Sequence, residues 1–151
     1  MPEGNLIRGS DGCRRLPMVF GGPMSIVPEC IFCYHNIKDR IEDEYGSVVA
    51  VRDLYPVTSG HTLIIPKRHV ADYFMLTEQE YRDVEKLLKI TREKIMAMDA
   101  GVEGFNVGVN CGLAAGQSVF HVHIHLIPRR PGDTPCPRGG VRGVIPGRMS
   151  Y

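Results

Sequence analysis

Between residues 77 and 98, side chains of mostly apolar character recur at three- and four-residue steps: Tyr81, Val84, Leu87, Leu88, Thr91, Ile95 and Met98. That period places them on one stripe of a helix, with the charged residues between them facing water. Thr77-Glu78-Gln79-Glu80 supplies its start as a capping box, in which a hydroxyl and a carboxylate satisfy two orphan backbone donors reciprocally. Gly101 and Gly104 end the pattern. Elsewhere the apolar positions come as short runs or alternate, which predicts strands over 47–53, 61–66, 105–110 and 120–128. The turn-like stretch 55–60 joins the first two as an antiparallel pair. A short helix is expected near 30–40. The Gly- and Pro-rich residues 1–28 form an irregular extension, 29–130 the domain, and the Gly-, Pro- and Arg-rich 131–151 a tail over its surface. Strands in hairpin order with one long helix make an α+β domain built on an antiparallel sheet.

One strand changes this picture. In His121-Val122-His123-Ile124-His125-Leu126 the alternation is complete. Successive strand residues point to opposite faces, so Val122, Ile124 and Leu126 face the core while three imidazoles share the other side. Neighbours there lie roughly 6.5–7 Å apart, a spacing that suits groups surrounding a phosphate. Three imidazolium charges do not coexist cheaply at that distance, so at least one ring is neutral near pH 7. A neutral imidazole nitrogen is a nucleophile or a metal ligand. A solvated strand face that happens to carry histidines, and a three-histidine metal site, are the competing readings. Just upstream, Gly112 to Ser118 offers Gly116 for close backbone approach and Gln117 and Ser118 as donors to phosphate oxygens.

The bulk properties narrow the classes. The 151 residues are 43% hydrophobic and 23% charged, as in one soluble globular domain. A net charge of +1 leaves no general positive field, which disfavours a stable nucleic-acid partner. No apolar run approaches the ~18–20 residues that span a bilayer. Five cysteines, with no basic and apolar leader after Met1-Pro2-Glu3-Gly4, indicate reduced thiols in the cytoplasm. Cys30-x-x-Cys33 is half of a tetrahedral metal site, a redox pair or two buried thiols.

Taken together, His121 to His125 followed by Leu126-Ile127-Pro128-Arg129, with Ser59-Gly60-His61, Ile65-Pro66-Lys67-Arg68-His69, Ala115-Gly116-Gln117-Ser118 and Cys30-Ile31-Phe32-Cys33, resemble the histidine triad superfamily of nucleotide hydrolases and transferases. The resemblance runs from about Cys30 to Arg130. It implies that His123 attacks the α-phosphorus of a purine nucleotide and that the covalent nucleotidyl-histidine is cleaved by water, releasing AMP. It implies that a backbone carbonyl holds the other ring nitrogen of His123. His125, His61 and Gln117 match positions that contact or stabilise the α-phosphate, Ser118 a position near the leaving group, and Asn110 and Gly116 the phosphate side. Asp53 matches a ribose-binding acid, with a strand-end turn residue as the alternative. Ile31, Phe32 and Leu54 match apolar positions around the base, which core packing also explains.

His125 stands where the transferase branches carry Gln, so the resemblance favours hydrolysis of phosphoramidates or dinucleoside polyphosphates. A nucleotide-binding scaffold with incidental hydrolysis is the alternative. Zinc-bearing members complete a structural site with residues corresponding to Cys30, Cys33, His69 and His121, with His35 as a competitor for His69. The resemblance also implies a homodimer. Arg138, Arg142 and Arg148 of the tail are placed to meet polyphosphate or simply water.

Overall fold

The computed structural model describes residues 27–151. The expected extension, apart from its last two residues, lies outside them. A short helix α1 (Tyr34–Ile37) leads through a 3-10 turn into strand β1 (Ile41–Tyr45). Then follow β2 (Val48–Arg52), β3 (Thr62–Pro66), the long helix α2 (Glu78–Met98), β4 (Gly104–Val109) and β5 (Ile124–Arg129). The five strands form one antiparallel sheet in the order β1-β2-β3-β5-β4. The expected α+β architecture is present, with one long and one short helix. Among the described residues no helix is long and apolar enough to cross a membrane.

Helix α2 begins at the predicted capping box: Glu80 N–H donates to the Thr77 hydroxyl and Thr77 N–H to the Glu80 carboxylate. Its stripe packs Val84 and Leu87 on Val48, Ala50, Ile64, Val122 and Ile124. Ile95 joins Leu126 and Val102 further along. The stripe stops there, because Met98 is 79% exposed. On the other face of the sheet, Phe32 and Ile37 cover Val49, Val51, Leu63 and Ile65. Strands β2 and β3 are thus covered on both faces, which is why they read as continuous apolar runs without alternation.

One strand is new and the predicted strand boundaries move by up to four residues. Strand β1 was not expected from its sequence: Ile41-Glu42-Asp43-Glu44-Tyr45 is charged because it is an edge strand, where exposed carboxylates discourage pairing with another chain. Strand β4 ends one residue earlier than predicted. Strand β5 starts at Ile124, four residues after the predicted start, since 120–123 make no ladder with β3 or β4. In the tail, Asp133 pairs with Arg129, and a 3-10 turn at Gly140–Val144 lies against Asn106 of β4.

Candidate active site and metal centre

The three histidines occupy the sheet face opposite α2, but only His125 belongs to the ladder, between Leu63 and Gly108. Gly108 adds no side chain beside it, and a methyl built there meets nothing within 4 Å. The segment holding His121 and His123 is fixed instead by residues 66–71. Val122 N–H donates to Val70 O at 2.8 Å. His123 Nδ1 lies 2.8 Å from His121 O, so it carries the proton and donates to that carbonyl. In the neutral ring Nε2 of His123 is then the nitrogen that keeps its lone pair. The ring is 7% exposed, with Phe32 at 4.8 Å and His125 at 5.2 Å between ring centres.

His125 and His61 form a directed pair. Val57 N–H donates to His61 Nδ1 at 3.3 Å, which puts the proton of a neutral His61 on Nε2. That atom lies 2.9 Å from His125 Nδ1 and donates to it. The proton of His125 therefore sits on Nε2, which makes no hydrogen bond among the described residues. Burial pushes the His125 pKa down to about 4, helped by its neighbours His123 and His61. Burial also lowers His61, against the pull of the Asp53 carboxylate 3.5 Å away. Both rings are neutral near pH 7, so the arrangement presents one N–H at His125 beside Nε2 of His123.

The remaining expected contacts fall into two groups. Asn110 follows the last paired residue of β4, in line with His123, and Gly116 and Ser118 are exposed on the loop before the histidines. Gly116 has a φ of +84°, which glycine adopts freely and other residues do not. Ile31 and Leu54 are exposed, and Asp53 Oδ1 accepts from Tyr55 N–H at 2.9 Å while its other oxygen faces His61. Gln117, however, is turned inward and 2% exposed. Its oxygen accepts from Gly112 N–H, and its amide nitrogen donates to Ala71 O and Val119 O. It shapes the loop from inside. Phe32 likewise belongs to the core and backs His123.

Cys30, Cys33, His69 and His121 converge, with their four ligand atoms within 4.8 Å of one another. His121 is fully buried, and its Nε2–H donates to Pro66 O at 2.8 Å, which turns the unprotonated Nδ1 toward the thiols. His121 Nδ1 lies 3.5 Å from Cys30 Sγ and 3.8 Å from Cys33 Sγ, and His69 Nδ1 3.4 Å from Cys33 Sγ. Zn–S of about 2.3 Å and Zn–N of about 2.0 Å at a tetrahedral angle give N···S near 3.5 Å. The donor set and its spacing are compatible with zinc. His35, exposed on α1, is not part of the cluster.

The HIT domain model matches residues 35–132. The chain belongs to the HIT family. A similar HIT-like protein of Methanocaldococcus jannaschii, itself uncharacterised, is 37% identical over 107 residues, 69% of this chain and 81% of that protein. The structure of a Zn-bound histidine triad family protein from Mycobacterium smegmatis superposes with a TM-score of 0.63 at 31% identity, covering 70% of this chain and 78% of that one. A HIT family hydrolase from Clostridium thermocellum gives 0.59 at 33% identity, covering 71% and 96%. The two cysteines precede the matched HIT domain. The backbone carbonyl expected to hold His123 is that of His121, whereas sequence reasoning did not reach the other main-chain partners, namely Val57 N–H and the carbonyls of Pro66, Val70 and Ala71. A backbone group has no signature in the sequence, so no spacing announces it.

Proposed function

We propose that the protein is a nucleotidyl hydrolase that cleaves adenine nucleotide conjugates at the α-phosphate and releases AMP. The observation that carries this reading is the His123 ring, whose Nδ1 is tied to His121 O and whose Nε2 is left unprotonated beside the His125 N–H donor. In the proposed reaction His123 Nε2 forms the bond to phosphorus. The P–N or P–O bond to the leaving group breaks with its electron pair, which takes up a proton, and water then cleaves the nucleotidyl-histidine. Charge stabilisation dominates phosphoryl transfer, and a neutral donor at His125 Nε2, backed by His61, supplies it without a prior proton loss.

Ser118, Gly116 and Asn110 are assigned to the phosphate and leaving-group side. Asp53 is assigned to the ribose, and Ile31 and Leu54 to the base. Gln117 serves the phosphate loop through its backbone contacts. Zinc, held by Cys30, Cys33, His69 and His121 with no open position, is structural and ties the N-terminal segment to the histidines. The reading includes a cytoplasmic homodimer acting on phosphoramidates or dinucleoside polyphosphates.

Turnover of a fluorescent adenosine phosphoramidate and of diadenosine tetraphosphate tests it. We expect wild type to hydrolyse at least one, His123→Ala to lose about 10³-fold or more in kcat, and quenched wild type to carry adenylate on His123 by mass spectrometry. Equal, slow turnover by both proteins refutes the reading.

A further inference from the structure

The loop between β2 and β3 carries the proton bookkeeping of the site, yet it is exposed. Leu54, Tyr55 and Val57 are all largely in water. Inside the loop, His61 N–H donates to Thr58 O at 3.1 Å, and Val57 N–H reaches back to His61 Nδ1. Among the described residues, one side chain from outside the β2–β3 hairpin bonds to residues 54–60, and that is Arg130. Its guanidinium donates to Thr58 Oγ1 at 2.8 Å and to Ser59 O at 3.0 Å. Its other edge is held by Asp99, the residue that caps the C-terminal end of α2, at 2.6 and 3.1 Å. Asp99 is itself anchored by Gly101 N–H at 2.9 Å, and Arg130 holds its carboxyl below the ordinary range.

We propose that Arg130, braced by Asp99, is a positioning residue for the His61–His125 pair. This deepens the hydrolase reading above and rests on it for its catalytic meaning. The physical chain is short. A planar fork fixes two points at once, which a flexible ammonium does not. With Thr58 and Ser59 fixed, Val57 N–H faces His61 Nδ1 and excludes the tautomer that carries a proton there. Only the remaining tautomer donates from His61 Nε2 to His125 Nδ1, and only then is the His125 proton on Nε2. When the clamp is lost, the Val57 contact is weakened and His61 can carry its proton on Nδ1. His125 then loses its directed donor, although no residue that touches substrate has changed.

The experiment uses full-length Arg130→Met, with Arg130→Lys and Thr58→Val as milder variants that leave the Asp99 end of α2 in place. Tautomers of His61 and His125 are read by ¹⁵N-edited NMR at neutral pH without substrate, and kcat and KM are measured separately. The expected result is a population of His61 protonated on Nδ1 in Arg130→Met and Thr58→Val. It is accompanied by a fall of about tenfold in kcat and a change in KM of less than about twofold. Arg130→Lys, which reaches one point of the loop at a time, recovers only part of either signal. Wild-type tautomers in both Arg130→Met and Thr58→Val overturn the proposal. So do unchanged kcat values beside shifted tautomers in an active enzyme. If tautomers shift but wild type hydrolyses neither substrate, the clamp stands as a structural fact and the hydrolase reading is what fails.

Discussion

His121 and His125 lie four residues apart on one face of the same segment, and burial drives both imidazoles down to a pKa of about 4. What holds them differs. His125 sits inside the sheet, paired through its backbone to β3 and β4. His121 precedes the ladder and depends on side chains and on the carbonyls of residues 66–71. Residues 66–71 also supply His69 to the cysteine cluster and Ala71 O to Gln117. One end of the triad is therefore fixed by sheet hydrogen bonds, and the other by a local assembly that has to be completed. The same alternation gives two unequal supports.

The largest expected break in this comparison falls on the assembled end. Cys33 is buried, and Cys33→Ser removes a sulfur ligand atom from the cluster. A loss of about 3 kcal/mol or more, equivalent to roughly 6–12 °C in Tm, is expected with the zinc content. Thermal unfolding with and without a chelator measures it. Metal far below one equivalent in wild type, with no shift on chelation, contradicts the assignment.

A smaller effect is expected at Glu80, whose carboxylate both caps α2 and receives two bonds from Arg68, at 2.9 and 2.8 Å, next to His69. Glu80→Gln should cost on the order of 1–2 kcal/mol, since it leaves Arg68 half-paired. The test is whether zinc affinity falls along with stability. A drop in stability alone confines the pair to helix capping.

The sheet end is expected to respond to acid. His125 has a folded pKa below that of the unfolded chain, so its contribution to stability is full above about pH 6.5. It is lost as the pH falls from there toward about 4. Allowing for partial solvent screening of this half-buried ring, urea unfolding should register about 1 kcal/mol less stability at pH 5 than at pH 7.5 from this group. His125→Gln should flatten that slope, and an unchanged slope in the variant would assign the acid sensitivity to other groups.

The parts of the molecule legible in the sequence are those with a period or a local signature. The capping box and the stripe from Tyr81 to Ile95 named α2 and its buried side, because the helix start and its inner face depend only on nearby residues. The alternation at 121–126 named the facing of the histidines, since strand geometry carries it even into residues 121–123 before the ladder. Strand β1 was hidden because edge protection replaces its apolar residues with charge. The convergence of Cys30 and Cys33 with His69 and His121 was reached by resemblance, and spacing alone supplied only half the set. The inward turn of Gln117 and the Arg130 clamp were out of reach, because both depend on which carbonyl happens to lie opposite.

His121 also separates two kinds of information. Its side chain faces the cluster, whereas its carbonyl orients His123. The carbonyl is present whatever residue stands at that position. On the proposed reading, metal affinity is thus encoded by replaceable atoms and the aim of the nucleophile by irreplaceable ones. A lineage could exchange or discard the cysteines that precede the HIT domain and still inherit the His123 ring pointed the same way.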